Sequence, residues 1–368
     1  MLQDEWQPDP SERDPQWRAP KGQIPAHWQQ LAQECRSTCF DVFAWFSRAT
    51  TAAAEMEGNA EAKDRLLKQL GMTIEVIEAN LDLWRRWGAV EDGTLPVARW
   101  MSSGRDGAVV CHASAISAAP FLKEALWDVA DSVLLTSATL SEGGDFRLLV
   151  EQLGAPENTE IVSLPSPFEL ARQARLSVPS LPLTPHGRKF PGAVAEWLGA
   201  GLDWEAGSLV LFTSRKKMQE TADLLPPTLR AKVRVQGETS KQVMLQEHAA
   251  AIGRGEGAVL FGLLSLGEGL DLPGKLLTHV VCTQVPFAVP TDPVGATLAE
   301  WIEHEGGNAF FDLALPAATR TLTQFTGRLI RTEADRGTVT ILDNRLIHKR
   351  YGRTILDALP PFRRDIAR

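Results

Sequence analysis

The chain has 368 residues, a formal charge of −8, 44% hydrophobic and 23% charged residues. At about 150 residues per domain this makes two to three domains with enough apolar sequence for real cores. The acidic balance excludes a protein that coats nucleic acid non-specifically, while leaving room for a narrow, locally basic groove.

Residues 1–24 carry Pro8, Pro10, Pro15 and Pro20 among charges and read as an extended or disordered segment. The start MLQDEWQPDP is neither a secretory signal nor a transit peptide, and no apolar run approaches the roughly 18 residues of a spanning helix. A soluble cytosolic protein, without membrane attachment, is the expectation. Residues 25–93 read as helical. A first helix is predicted from Ala26 to Met56, with Leu31, Cys35, Phe43 and Phe46 near helical spacing. In the second, Leu67, Leu70, Ile74, Ile77, Leu81 and Trp84 form a coiled-coil-like seam that stops at Gly88, as in a helical hairpin packing on itself. Cys35 and Cys39 read as small buried apolar residues. Together with Cys111 and Cys282 they are too scattered for a disulfide framework or a four-ligand zinc site.

From residue 94 to 165 the pattern changes to short strands at Val97–Met101 and Ala108–His112. A helix near Pro120–Ser132 follows, then an apolar strand, Ser132–Leu135, which runs straight into Thr136-Ser137-Ala138-Thr139. Residues 166–368 alternate strand and helix. Strands are predicted at Leu209–Phe212, Lys232–Val235, Ala258–Phe261, His279–Gln284 and Gly337–Leu342. Helices are predicted at Gly192–Gly201, Lys216–Leu225, Lys241–Gly253, Ala296–Glu305 and Ala317–Arg331. Short apolar strands between such helices make an α/β fold, a mainly parallel sheet covered on both faces. Its chemistry is expected just past the carboxyl ends of the strands.

Those ends carry Thr136–Thr139, then Thr213-Ser214-Arg215, then Gln236-Gly237-Glu238-Thr239, then Gly267-Glu268-Gly269-Leu270-Asp271. One hydroxyl at a strand end usually caps the next helix. Several in one sheet, beside glycines and cations, make a row of donors suited to phosphate oxygens. In the helix after Pro316, Gln324, Arg328 and Arg331 are spaced four and three apart, so the pattern predicts one shared face, with Gly327 letting another surface approach. A solvated basic stripe is the plain alternative. Guanidiniums held this way can stabilise charge on a transferred phosphoryl group.

Thr136-Ser137-Ala138-Thr139-Leu140, Glu268-Gly269-Leu270-Asp271 and Gln324-x-x-Gly327-Arg328-x-x-Arg331 resemble motifs three, five and six of superfamily-two helicases, in the forms and order of the XPD/DinG branch. Leu209–Ser214 resembles motif four, and Tyr351–Pro360 is similar to the ending of the bacterial DinG family. The resemblance covers roughly residues 94–362 and implies a RecA-like α/β fold preceded by an Arch-like helical region. On it, 1–24 is a Pro-rich extended segment and 25–93 the Arch-like region. Residues 94–165 then end the first RecA-like domain, and 166–368 form the second.

The resemblance also implies roles. Thr136, Ser137, Ala138 and Thr139 couple nucleotide state to the DNA site. Thr213, Ser214, Arg215 and Thr239 touch DNA phosphates. Gly269, Asp271 and Gly327 lie by the nucleotide, with Gln324, Arg328 and Arg331 catalytic and the two arginines acting as fingers. The implied protein is a bacterial, cytoplasmic, nucleoid-associated 5′–3′ DNA helicase acting in replication or repair on single-stranded and forked DNA, using ATP and Mg2+. The family's phosphate loop, acidic box and the four cysteines of its 4Fe-4S cluster belong to an amino-terminal half that this sequence lacks. The chain is then half a helicase that is inactive alone, a stand-alone DNA-binding module, or an inactive truncated product.

Three near-matches carry no such chemistry. Gly269–Leu276 imitates a phosphate loop but ends in Leu where a hydroxyl is needed, and reads as a turn at Pro273-Gly274. Gly262–Gly267 imitates a hydrolase elbow with one residue too many, and Gln246–Ala249 is no acidic box.

Overall fold

In the computed structural model the described residues are 16–89, 95–104, 108–137, 139–141, 144–181, 185, 187–267, 270–287 and 292–367. The chain divides into two compact units, Met1–Asp128 with Gln152–Gly154 and Val289–Asp312, and Val129–Glu151 with Ala155–Ala288 and Leu313–Arg368.

In the first unit, α1 (Ala26–Glu55) and α2 (Ala60–Gly88) form the expected antiparallel hairpin. Asn59 caps α2 by accepting from the Glu61 and Ala62 amides. The seam from Leu67 to Trp84 is half-buried, because one partner helix covers only a single stripe. The hairpin's base packs on a three-stranded antiparallel sheet of β1 (Gln16–Arg18), β2 (Val97–Ser103) and β3 (Val109–Ala115). Trp28, Trp87 and Met101 fill that junction. Arg99 is buried there, donating to the carbonyls of Arg86 (2.8 Å), Ala89 (2.9 Å) and Gly22. The segment from Trp17 to Gly22, in the stretch read as extended or disordered, is held in place. Arg18 pairs with Glu300 at 2.5 Å.

The second unit is built on seven parallel strands in the order β10-β4-β9-β8-β5-β7-β6. The strands are β4 (Ala174–Val178), β5 (Gly207–Phe212), β6 (Val233–Val235), β7 (Ala258–Leu263), β8 (His279–Cys282), β9 (Gly337–Ile341) and β10 (Arg363–Ile366). Helices α3 (Phe190–Gly201), α4 (Arg215–Asp223) and α5 (Lys241–Gly253) alternate with them. Next, α6 (Pro293–His304) belongs to the first unit, and α7 (Leu315–Thr326) and α8 (Arg350–Ala358) return to the second. Every residue of β5 and β8 is buried, as a doubly covered parallel strand requires. Among the described residues no helix is long and apolar enough to cross a membrane.

Three expectations are corrected. The helix predicted for Pro120–Ser132 shrinks to one turn at Ala119–Leu122 and a wider turn at Lys123–Trp127. The strand expected at Ser132–Leu135 does not form: the segment is irregular, and Leu134 is 88% exposed. A strand exists only through pairing, and no described strand pairs with this one. The helix expected to run through Arg331 ends at Thr326.

Candidate nucleotide and nucleic-acid site

Because the seven strands are parallel, the loops after β5, β6, β7, β8 and β9 leave the same edge of the sheet. After β5, Thr213 is half-buried and Ser214 caps α4, its hydroxyl accepting from the Lys217 amide at 3.5 Å. Arg215 is exposed, and its guanidinium lies over Gly237: a Cβ there would sit 2.6 Å from Nη1. Gly237 has φ +100°, so both conformation and space exclude a side chain. Thr239 is exposed and bridges back to Gln236, whose Oε1 accepts from the Leu263 amide at 2.7 Å. Thr213, Ser214, Arg215 and Thr239 therefore gather on two strand ends, those of β5 and β6, which flank β7.

The second group forms around the end of α7. Gln324, in its last turn, donates from Nε2 to the Thr139 hydroxyl at 3.2 Å. Ser137 closes a small turn there, its hydroxyl 3.4 Å from that of Thr139 and 3.3 Å from the Thr139 amide. Thr136 and Ser137 are exposed; Ala138, Glu268 and Gly269 lie outside the described residues.

The two arginines do not share a helix face with Gln324. After Thr326 the backbone bonds tighten to three-residue spacing, Arg328 N–H to Phe325 and Leu329 N–H to Thr326, and the helix stops. Leu329 and Ile330 then turn into the core, and that burial competes with continued helix. Gly327 is exposed, and nothing but the carbonyls of Thr323 and Gln324 approaches its Cβ position, so the expected close approach of another surface is not seen among the described residues.

What holds the arginine loop is Asp335. Its buried carboxylate accepts from the Arg331 and Thr332 amides, each at 2.7 Å. Burial pushes its pKa up, but the donors at Arg331, Thr332 and Gly274 outweigh that, and the net direction is down. Buried Gln173 donates to the carbonyls of Thr332 (3.0 Å), Glu333 (3.2 Å) and Asp335 (3.3 Å). With its backbone fixed, Arg331 reaches the Leu270 carbonyl at 3.1 Å and stands 3.8 Å from exposed Asp271. Arg328 Nε is buried and meets no hydrogen-bond partner among the described residues. Neither Gln173 nor Asp335 stood out in sequence; the available signal was an acid four residues past a motif arginine.

A further polar cluster was not anticipated. Lys217 donates to the Pro185 carbonyl (2.8 Å) and to Gln284 (3.0 Å). Asp343, wholly buried after β9, accepts from the Val285 amide at 2.8 Å and pairs with Arg345 at 2.6 Å. Burial, with Arg345 nearby, lowers the Lys217 pKa.

The near-matches resolve as structure. Gly274 makes a positive-φ turn into a short 3-10 segment before β8. His248 lies within α5, wholly buried and bonded to the Leu276 carbonyl at 2.8 Å. His279 bonds the Thr340 hydroxyl at 2.9 Å inside the sheet.

Residues 203–362 match the family described as helicase C-terminal domain. A protein of Photobacterium profundum named ATP-dependent DNA helicase DinG is 36% identical over 366 residues, which is 96% of this chain and 53% of the relative. The protein of that name from Escherichia coli (strain K12) is 33% identical over 308 residues, 81% of this chain and 43% of the relative. The chain thus spans about half the length of these curated relatives. Among solved structures, an XPD helicase superposes with TM-score 0.53 at 17% identity, over 84% of this chain and 54% of that one. An apo XPD superposes with TM-score 0.51 at 16% identity, over 84% and 63%. This second likeness is one of fold, and it fits a RecA-like parallel sheet preceded by a helical region. On sequence and fold together, the chain belongs to the DinG-type helicase family and corresponds to the carboxyl-terminal half of its members.

Proposed function

We propose that this chain is the acceptor half of an ATP-dependent 5′–3′ DNA helicase, with its phosphate loop, acidic box and iron–sulfur cysteines on an amino-terminal half. The observation that carries this is the buried Nε of Arg328, without a partner among the described residues, beside an Arg331 that is pinned by its own backbone. A buried guanidinium donor without an acceptor is costly, and an anionic phosphate oxygen is the partner it fits. ATP would supply that anion and the phosphoryl group. Arg328 and Arg331 would stabilise its developing charge, Gln324 and Asp271 would orient it, and Gly269 and Gly327 would lie beside it. Thr139, bonded to Gln324, would carry the nucleotide state towards the DNA with Thr136, Ser137 and Ala138.

Thr213, Ser214, Arg215 and Thr239 would hold successive phosphates of single-stranded or forked DNA, consistent with a cation and hydroxyls on the loops after β5 and β6. Such an enzyme would serve replication or repair in the bacterial cytoplasm, at the nucleoid. The ligands of Mg2+ and of a 4Fe-4S cluster would lie on the amino-terminal half; among the described residues no group of three or more His, Cys, Asp or Glu could hold a metal.

The test is reconstitution. The pure chain should show no DNA-stimulated ATP hydrolysis; an amino-terminal half from a DinG relative should restore it. Arg331→Ala should then lower the restored rate by at least about a hundred-fold, with circular dichroism unchanged. Robust turnover by the chain alone overturns the half-enzyme reading, and an unchanged restored rate overturns the finger assignment.

A further inference from the structure

A second basic site lies at the other end of the strand order from β6. A cavity of about 600 Å³ opens beside β10 and α8. Lys349, Arg350, Arg353 and Arg364 line it, against one carboxylate, Asp357. In a chain of net charge −8 this is a local reversal of sign. The cations are barely neutralised. Arg353 stands 3.6 Å from Asp357 with both side chains largely exposed, a weak pair. Arg364 only grazes the Leu359 carbonyl at 3.5 Å. Among the described residues the side chains of Lys349 and Arg350 have no hydrogen-bonding or ionic partner. The cavity's apolar lining includes half-buried Ile347 and Ile366.

Beside the cavity runs an open strand edge. β10 is the outermost strand and, among the described residues, pairs only with β4. The Ala367 amide donates to Val178, and strand alternation therefore turns the main-chain groups of Arg364 and Ile366 to the unpaired side. Such an edge is a template for an added strand.

We propose that this cavity and the β10 edge bind an extended acidic peptide of a partner protein, which adds a strand to β10, lays an aliphatic side chain on Ile347 and Ile366, and places carboxylates among Lys349, Arg350, Arg353 and Arg364. Single-stranded nucleic acid is the competing occupant of a basic groove. It draws on aromatic stacking platforms, and no aromatic side chain lines this cavity, which offers aliphatic surface and backbone edge instead. The site shares no residue with the proposed nucleotide and DNA groups, so the inference stands or falls separately from that reading.

The experiment is fluorescence anisotropy on the full chain with a labelled decapeptide of aspartates and one central isoleucine, alongside a labelled twenty-residue oligothymidylate. The peptide should bind and should weaken as salt rises. Arg350→Glu with Arg353→Glu, both at exposed positions, should weaken it by at least about ten-fold without changing oligothymidylate binding. Replacing the peptide isoleucine by serine should weaken it by several-fold. Three results overturn the proposal: no peptide binding, peptide affinity untouched by the double substitution, or loss of oligothymidylate binding alone in the double variant, which would make the cavity part of a nucleic-acid path. Unaltered circular dichroism and melting temperature establish that the variant is folded; if it is not, Ile347→Asp is used with the same expectations.

Discussion

At the scale of single residues, the site depends on side chains that perform no chemistry. Arg331 is placed by Asp335, whose two short bonds fix the backbone from which the guanidinium extends, and Gln173 braces the same loop from below. His279 shows the opposite use of burial. It sits inside the sheet, where burial, with Arg175 nearby, lowers its pKa from 6.5 to about 4. The native state keeps it neutral, so the unfolded chain binds more protons between those two values. Its contribution to stability is full above about pH 6.5 and falls as pH drops towards 4, by at most about 1.4 kcal/mol per pH unit. His279→Gln keeps a hydrogen-bonding group for Thr340 and removes the titration. Urea denaturation at pH 7, 6 and 5 should show a shallower loss of stability in the variant than in the parent; equal slopes would refute the assignment. Asp335 acts in a lower window, because its pKa is depressed and its contribution is lost only as pH falls through the carboxylate range.

At the scale of elements, the contact that ties the fifth-motif loop to α7 is a glycine under a ring. A Cβ on Gly267 would lie 2.7 Å from the Phe325 side chain, and Phe325 is itself fully buried. Gly267→Val should therefore destabilise by about 1–3 kcal/mol through overpacking. Gly71 of α2 has nothing within 4 Å of its Cβ position, and Gly71→Ala should stabilise by about 0.5–1 kcal/mol through helix propensity. Urea midpoints moving in opposite directions would confirm the pair, and a neutral Gly267→Val would show that α7 is free to shift. The elements differ in how legible they were. α5 was read to the residue, since Ser240 caps it and Gly253 closes it. β4 was missed despite a clean alternation of buried Ala174, Leu176 and Val178. β10, Arg-Arg-Asp-Ile, has no apolar pattern to read; pairing with β4 makes it a strand.

At the scale of the whole molecule, two segments of the second unit stand out as unfinished. Residues 131–137 and 159–166 have no regular structure, and Leu134 and Leu164 are 88% and 84% exposed, with Val162 at 65%. Isolated apolar residues are ordinary on a surface, but runs of them mark a surface to be covered. In the proposed half-enzyme reading the amino-terminal half covers them. Leu134→Ser with Leu164→Ser should then reduce dye binding and aggregation of the isolated chain with little change in melting temperature. The same pair should weaken capture of the amino-terminal half. A melting temperature lowered by several degrees would mean that these side chains already belong to the chain's own core.

The sequence alone determined the class of the sheet, the order of its motifs and the edge at which they gather, because apolar periodicity and parallel topology are local patterns with one global consequence. It also determined the helical hairpin, whose seam is written in a single stretch. Only the tertiary structure decided which side chains meet. Gln324 finds Thr139 across 185 positions, and Arg331 finds Leu270 across 61. It decided, too, that α7 ends before its arginines. Continued helix and burial of Leu329 and Ile330 compete at that point, and the core prevails once Asp335 satisfies the amides that the helix releases.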